Sequence, residues 1–195
     1  MRRTAHARPP TAKVVLPAEP IVEGPTALRP WRESDIPALV AACQDREIGR
    51  WTSVPYGYGE PDARAFMLAR FDAVLAATAA PFAIVSAANP DELLGSVSLM
   101  RLLWRHARGE VGYWLARPAR GRGHATRAVL AVCRWGFDTL GLERIDLLAS
   151  VENIPSQRVT ERCGFTRDAV LRSYLRGKEG RQDMVAFGLL RGEVQ

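Results

Sequence analysis

The chain has 195 residues, 47% hydrophobic and 25% charged, the profile of a soluble globular protein, which excludes disordered, collagen-like and disulfide-scaffold classes. At roughly 100–200 residues per domain the length predicts one domain with at most an appendage, and no apolar run reaches the ~18 residues of a membrane-spanning helix. The net charge is +6, from 27 basic and 21 acidic side chains, and Lys13 and Lys178 are the only lysines among the basic ones.

Residues 1–25 hold five prolines and few large apolar groups. They read as a flexible extension, docked at most from Val14 onward, ahead of a domain over 26–195. Thr26–Trp31 reads as a short strand. Ser34 and Asp35 are N-cap residues for a helix through Cys43, with Ile36, Leu39, Val40 and Cys43 at helical spacing. Ser53–Gly59 is a loop. Pro61 suits the first turn of a second helix to about Ala77, with Ala65, Phe66, Ala69, Leu75 and Ala76 predicted to face inward.

After Pro81 the pattern changes. Phe82–Ala87, Leu93–Leu103 and Glu110–Leu115 are apolar runs separated by turn residues, and they read as consecutive antiparallel strands. Alternation along the third puts Glu110, Gly112 and Trp114 on one face and Val111, Tyr113 and Leu115 on the other. A long helix is predicted over Ala125–Leu140, closed by Gly141. Arg144–Ser150 is a strand. Asn153 then caps a two-turn helix that ends at Gly164, and strands Phe165–Leu175 and Asp183–Leu190 flank a turn at Gly177–Gly180. This order predicts an α/β fold, a mixed sheet with helices on its faces.

Charge and cysteine placement narrow the function. Seven arginines and a single acid, Glu110, fall between Arg101 and Arg127. Such a local field favours an anionic ligand. Nucleic acid is the weaker choice, because no stripe of interleaved aromatics accompanies the arginines. Cys43, Cys133 and Cys163 are an odd set without C-x-x-C spacing. They read as buried free thiols, with neither a metal centre nor a disulfide framework expected. That usage, and an N-terminus without a secretory apolar core, predict a cytoplasmic protein.

The most informative stretch runs from Glu110 to Thr126. A strand passes through Arg117-Pro118-Ala119-Arg120-Gly121-Arg122-Gly123-His124 into a helix. Glycines there let backbone N–H groups converge, and the helix adds its positive end, so the turn can cradle a phosphate or pyrophosphate. Neither the P-loop nor the dinucleotide-fold pattern fits.

The turn Arg120-Gly121-Arg122-Gly123-His124-Ala125 resembles the pyrophosphate motif of the GCN5-related N-acetyltransferase (GNAT) superfamily. A second signature follows in Asn153-Ile154-Pro155-Ser156 and Arg162-Cys163-Gly164-Phe165. Leu28-Arg29-Pro30-Trp31 with Asp35, Tyr113-Trp114-Leu115, and Asn153 with Ser156 resemble the branch that acetylates the N-termini of ribosomal proteins. The resemblance spans about residues 26–190. It implies a mostly antiparallel sheet in which one parallel pair, Glu110–Leu115 and Arg144–Ser150, splays apart to hold acetyl-CoA.

It implies site residues as well. The pantetheine arm would pair with backbone at Trp114, Leu115 and Ala116. The pyrophosphate would sit on the amides of Arg120, Gly121, Arg122, Gly123, His124 and Ala125, with the Arg117, Arg120 and Arg122 side chains adding charge at the rim, the His124 ring contacting or screening phosphate, and Thr126 adding a hydroxyl. Asn153 would contact pantetheine. Glu110 is the candidate base, and its alternative is a strand-end carboxylate paired with Arg108 or Arg101. Ser156 is the candidate residue near the thiol, with helix capping as its alternative. The tyrosine that many members carry seven residues after the Asn is Thr160 here, and Tyr174 is a weaker substitute. Trp51, Tyr56 and Tyr58 would wall the acceptor. The implied partners are acetyl-CoA and an amine, either a protein N-terminus or a small molecule, for a monomer or homodimer that uses no metal and binds neither membrane nor nucleic acid. A non-catalytic acyl-CoA-binding module is the alternative of another class.

Overall fold

A computed structural model describes residues 13–194. The expected extension over residues 1–12 lies outside the described residues. From Val14 the chain already belongs to the fold, because Val14 is buried in the main core. A three-residue strand, β1 (Ile21–Glu23), turns at Gly24-Pro25 and pairs antiparallel with β2 (Thr26–Arg29). Docking from Val14 onward agrees with the sequence reading, and the β1–β2 hairpin extends the sheet to residues ahead of 26.

The segment after β2 is held by a buried ion pair. Arg29 donates to both carboxylate oxygens of Asp35 at 2.8 and 2.6 Å, with 2% and 4% of the two side chains exposed. Asp35 also accepts from the Arg32 N–H at 2.8 Å. The reverse into α1 (Ile36–Ala42) is thus fixed by a fully satisfied charge pair. A second short helix, α2 (Arg46–Trp51), follows, capped by the Asp45 side chain on the Glu47 N–H. It is too short to show apolar periodicity and was not among the predicted elements.

The next helix, α3 (Glu60–Leu75), carries apolar residues all round. Ala63, Phe66, Met67 and Val74 face inward, while Ala65, Ala69, Leu75 and Ala76 of the predicted face are exposed. The correction has a physical cause: Leu68, Phe71 and Leu75 form a competing helical stripe, and that stripe points to solvent.

Six strands complete the centre and far side of the sheet: β3 (Ala80–Ser86), β4 (Leu93–Leu103), β5 (Arg108–Leu115), β6 (Arg144–Ser150) and the hairpin β7 (Thr166–Gly177) with β8 (Gly180–Leu190). The eight strands lie in the order β1-β2-β3-β4-β5-β6-β8-β7, all antiparallel except β5 against β6. Two helices lie after β5: α4 (His124–Thr139) and α5 (Ile154–Arg162).

Helix α4 packs one face of the sheet. Ala128, Val129, Val132, Cys133 and Phe137 meet Phe82, Val97, Leu99, Ile145 and Val185 in the main core. Each fully buried Val, Leu, Ile or Phe among them contributes about 1.5–3 kcal/mol. The opposite face carries α1 and α3, whose core of Ile36, Leu39, Cys43, Tyr58 and Ala63 also receives Trp31, Phe66 and Trp114. The alternation read along β5 therefore holds, with Trp114 toward α1 and α3 and Val111, Tyr113 and Leu115 toward α4. All three cysteines are free and buried.

Candidate functional site

Parallel pairing of β5 with β6 covers three rungs only, Arg108↔Arg144, Gly109↔Ile145 and Glu110↔Asp146. Beyond Glu110 and Asp146 the strands part. β4 continues to pair with β5 up to Gly95↔Leu115, and β8 stays on β6 up to Ser150↔Met184. The opening is thus a wedge in an otherwise continuous sheet.

The free backbone in this wedge is not the expected set. Ala116 N–H donates to Leu94 O at 2.8 Å. This bond fixes the ladder's alternation, so that Glu110, Gly112 and Trp114 spend their backbone groups on β4. The Leu115 carbonyl accepts two bonds from Arg120, at 3.1 and 2.9 Å. Trp114 and Ala116 therefore do not offer free backbone to a ligand. Tyr113, with the N–H of Leu115, faces the opening.

The turn at the mouth has the backbone that a phosphate cradle requires. Gly121 and Gly123 have φ of 76° and 78°, a region that side chains other than glycine's disfavour. A Cβ at Gly121 would meet no atom within 4 Å, so the space over the turn is open. The helix α4 starts at His124, and its unpaired N–H groups point out of that end. Arg117 and Arg122 are exposed at the rim. Backbone, open space and charge all fit an anionic diphosphate.

Two side chains in the turn depart from expectation. Arg120 turns back, binding Leu115 O and reaching Asp45 of the α2 cap at 2.8 Å. It braces the turn against α2, and only its backbone remains for a ligand. His124 is buried, with Nδ1 2.8 Å from the Thr26 hydroxyl on β2. Burial first, then Arg127 and Arg122, lower its pKa. It too contributes backbone rather than its ring. Arg127, which the sequence did not single out, donates to Arg122 O at 3.0 Å and closes the turn.

Across the wedge, Asn153 Oδ1 accepts the Ser156 N–H at 3.1 Å and caps α5. The Ser156 hydroxyl lies 3.1 Å from the Tyr113 hydroxyl. Burial pushes the Tyr113 pKa up to about 12, against a smaller opposing effect of the Ser156 bond. Capping in this helix thus belongs to Asn153, and the Ser156 side chain is turned to the cleft. Thr160 is fully buried and donates to Ser156 O at 2.8 Å. Tyr113, named from the sequence within the Tyr113-Trp114-Leu115 resemblance, is the residue of this opening that the candidate set missed. Its signal was its place on β5, three residues past the last parallel rung.

Glu110 stands at that last rung. Arg101 donates to it at 2.7 Å. This pair depends on a bulge in β4 after Met100, where Arg101 has φ 50° and swings onto the Glu110 face. Arg108 pairs instead with Asp146.

The acceptor candidates separate. Trp51 donates from Nε1 to Glu47 at 3.0 Å and stacks against Arg50. Tyr56 is 44% exposed on the α2–α3 loop. Tyr58 does not line that loop's surface. It is 5% exposed in the core under α1 and α3, where burial, with smaller effects of Cys43 and Asp62, raises its pKa to about 12. Tyr174 is exposed on β7. Among the described residues no group of three or more His, Cys, Asp or Glu side chains is placed to hold a metal, and no helix is long and apolar enough to cross a membrane.

Comparison with known proteins gives a family and a fold. The family model for the acetyltransferase (GNAT) domain matches residues 26–166. An uncharacterized N-acetyltransferase p20 of Bacillus licheniformis is 28% identical over 85% of this chain and 93% of its own. The ribosomal-protein-serine acetyltransferase of Escherichia coli (strain K12) is 30% identical over 42% of this chain and 46% of its own length. In fold, the chain is similar to RimL, a ribosomal L7/L12 α-N-protein acetyltransferase solved with coenzyme A, at TM-score 0.80, 19% identity and coverage of 88% and 98%. With two-thirds and more of its length matched by the family model, and with the wedge and glycine turn in place, the chain belongs to the GNAT acetyltransferase family and is an acetyl-CoA-dependent N-acyltransferase.

Proposed function

We propose that the protein acetylates an α-amino group at a protein N-terminus, by direct attack of the amine in a ternary complex. The observation that carries this reading is the wedge that opens past Glu110 and Asp146, with Glu110 at its base and the Tyr113–Ser156 pair across it. Acetyl-CoA supplies the acyl group as a thioester. The turn from Arg120 to Ala125 holds its diphosphate on backbone N–H groups, with Arg117 and Arg122 at the rim and Thr126 in the first turn of α4. The backbone of Tyr113 and the N–H of Leu115 hold its arm, with Asn153 at the far wall.

Glu110 takes the amine proton, directly or through one water. Its partner Arg101 is 56% exposed, so solvent screens the pair and the guanidinium can swing away from the carboxylate. Ser156, held by Tyr113, supports the departing sulfur with a hydrogen bond. An α-amino group titrates near ~8 and a lysine near ~10.4, so an N-terminus is far more often neutral and nucleophilic at pH 7. Trp51 and Tyr56 wall the acceptor side.

The test is acetyl-CoA turnover against peptides with free and blocked N-termini, beside a panel of amino acids, polyamines and aminoglycosides. The reading expects turnover that depends on a free peptide N-terminus and persists when internal lysines are removed. Turnover confined to small amines would replace the acceptor, and stable CoA binding without turnover would replace the catalytic reading.

A further inference from the structure

Helix α2 is six residues long, so its last carbonyls have no later N–H to satisfy them. Thr52 Oγ1 covers Ile48 O at 2.6 Å. The carbonyls of Gly49, Thr52 and Val54 converge on one atom, Lys178 Nζ, which donates to all three, to Thr52 O at 3.1 Å and Val54 O at 2.6 Å. Lys178 is the tip of the β7–β8 hairpin, which runs beyond the end of β6 to reach this loop. The tip carries a second tie: Arg50 lies between Glu152 at 3.4 Å and Glu179 at 4.0 Å.

The same ammonium holds an aromatic. Tyr56 folds back so that its ring sits 4.9 Å from Lys178 Nζ and 5.4 Å from Arg46 Cζ. The ring rests on bare backbone, since a Cβ at Gly49 would lie 2.7 Å from it. The residue type matters. This chain uses arginine at almost every basic position. A planar guanidinium cannot direct three donors from one point into a ring of carbonyls, whereas a compact ammonium can.

We infer that Lys178 is a positioning residue for the amine acceptor: its ammonium clasps the α2–α3 loop to the β7–β8 hairpin and holds Tyr56 in the acceptor wall. The inference rests on the reading above that this loop faces the acceptor. It assigns the hairpin tip a role in acceptor affinity and none in holding acetyl-CoA, whose turn is a separate element.

The test uses the full chain with Lys178→Met, Lys178→Arg, Lys178→Cys and Gly49→Ala. Hydrogen exchange without any substrate reads the clasp. Lys178→Met should speed exchange of amides within residues 46–58 about tenfold or more, the scale of a lost charge-assisted contact, with α4 and α5 unchanged. Steady-state kinetics read the role. KM for the acceptor should rise about tenfold, while KM for acetyl-CoA and the thermal shift given by CoA stay as in the wild type. Lys178→Arg should behave like Lys178→Met. Gly49→Ala, which displaces Tyr56 without touching the ammonium, should raise the acceptor KM as well. Aminoethylation of the Lys178→Cys protein restores an ammonium at that place and should restore both readouts, since the native cysteines are buried. Unchanged exchange over 46–58 in Lys178→Met would overturn the clasp. Faster exchange with an unchanged acceptor KM would overturn its role in positioning. If the wild type uses small amines and no peptides, the peptide reading fails, and the clasp is judged by the same two KM values on that amine.

Discussion

Tyr113 Oη and Ser156 Oγ lie 3.1 Å apart, joining β5 to the first turn of α5 across the wedge between β5 and β6. Neither the strand nor the helix needs this bond for its own ladder. Its effect is to hold two hydroxyls at the place where the sheet opens, with Tyr113 kept protonated by burial.

The pair predicts a shared loss. Ser156→Ala should lower kcat by about tenfold or more, as removal of a positioned donor does. Tyr113→Phe should lower it too, because the serine hydroxyl loses its orienter. The double variant should cost less than the two separate losses combined, since both act through one hydrogen bond. With a Tyr113 pKa near 12, the wild-type rate should show no titration of this group over pH 6–9. Additive losses in the cycle would mean that the two hydroxyls act independently.

Glu110 and Arg101 make a second testable pair. Glu110→Gln should lower kcat about 10²-fold, the range of general base catalysis, and leave CoA affinity unchanged. Raising the pH should recover part of the rate, because more of the amine is then already neutral. Arg101→Gln leaves the carboxylate without its 2.7 Å partner and should retain activity. Profiles of kcat/KM over pH 6–9 for both variants check this. Wild-type rates in Glu110→Gln would leave the carboxylate as an ion-pair partner only.

His124 sets a pH limit on stability. Its pKa is lowered by burial and by two nearby arginines. The unfolded chain therefore binds the proton first as pH falls below ~6.5, and stability is lost over that window. Above it the imidazole is neutral in both states and the contribution is constant. Urea midpoints at pH 7.5 and pH 5.5 should fall in the wild type, and should fall less in His124→Gln. Equal slopes in the two proteins would assign the pH dependence to other groups.

How far the sequence carried depends on what each segment asks of it. The strand Arg144–Ser150 and the helix capped by Asn153 were legible because a cap, a proline and a glycine exit mark their ends locally. The glycine turn was legible because a turn with positive φ at two positions strongly favours glycine there. The buried face of α3 was not, since Leu68, Phe71 and Leu75 offered a rival stripe and only tertiary packing chose between them. The side chains of Arg120 and His124 were assigned to the ligand from their place in the motif. Their partners, Asp45 and Thr26, lie far away in sequence and come near only in the fold. Tyr113 entered for the same reason in reverse, since its partner is 43 residues downstream.

The Arg29–Asp35 pair explains why that arginine and that aspartate stand six residues apart. Both side chains are almost fully buried and joined by two bonds. Removing one partner strands the other charge, so Asp35→Ala should destabilise the protein by about 3–5 kcal/mol. Replacing both, as Arg29→Met with Asp35→Leu, should recover much of that loss. Denaturant unfolding of the single and double variants makes the comparison. A single-variant loss below about 1 kcal/mol would show that water reaches the pair.

The glycine turn offers the most direct test of the cofactor site, because Gly121 and Gly123 differ in what surrounds them. Both have positive φ. A Cβ at Gly121 would meet nothing within 4 Å, whereas one at Gly123 would lie 2.5 Å from Arg127 Nη1, which holds the turn through Arg122 O. Gly121→Ala therefore strains only its own backbone, at about 1–2 kcal/mol. Its methyl projects into the open space over the turn, where a diphosphate would approach the amides. Gly123→Val adds displacement of Arg127 to the same strain and should cost more stability. In the wild type, CoA at ~100 times its Kd should stabilise the fold by about 2.7 kcal/mol. Gly121→Ala should keep the fold and lose most of that ligand-dependent gain. Thermal-shift titration beside calorimetry separates the two effects, since intrinsic stability is read without CoA and affinity is read with it. A lowered melting temperature with unchanged CoA affinity would make the turn a purely structural device, and the diphosphate would then have to bind elsewhere along the wedge.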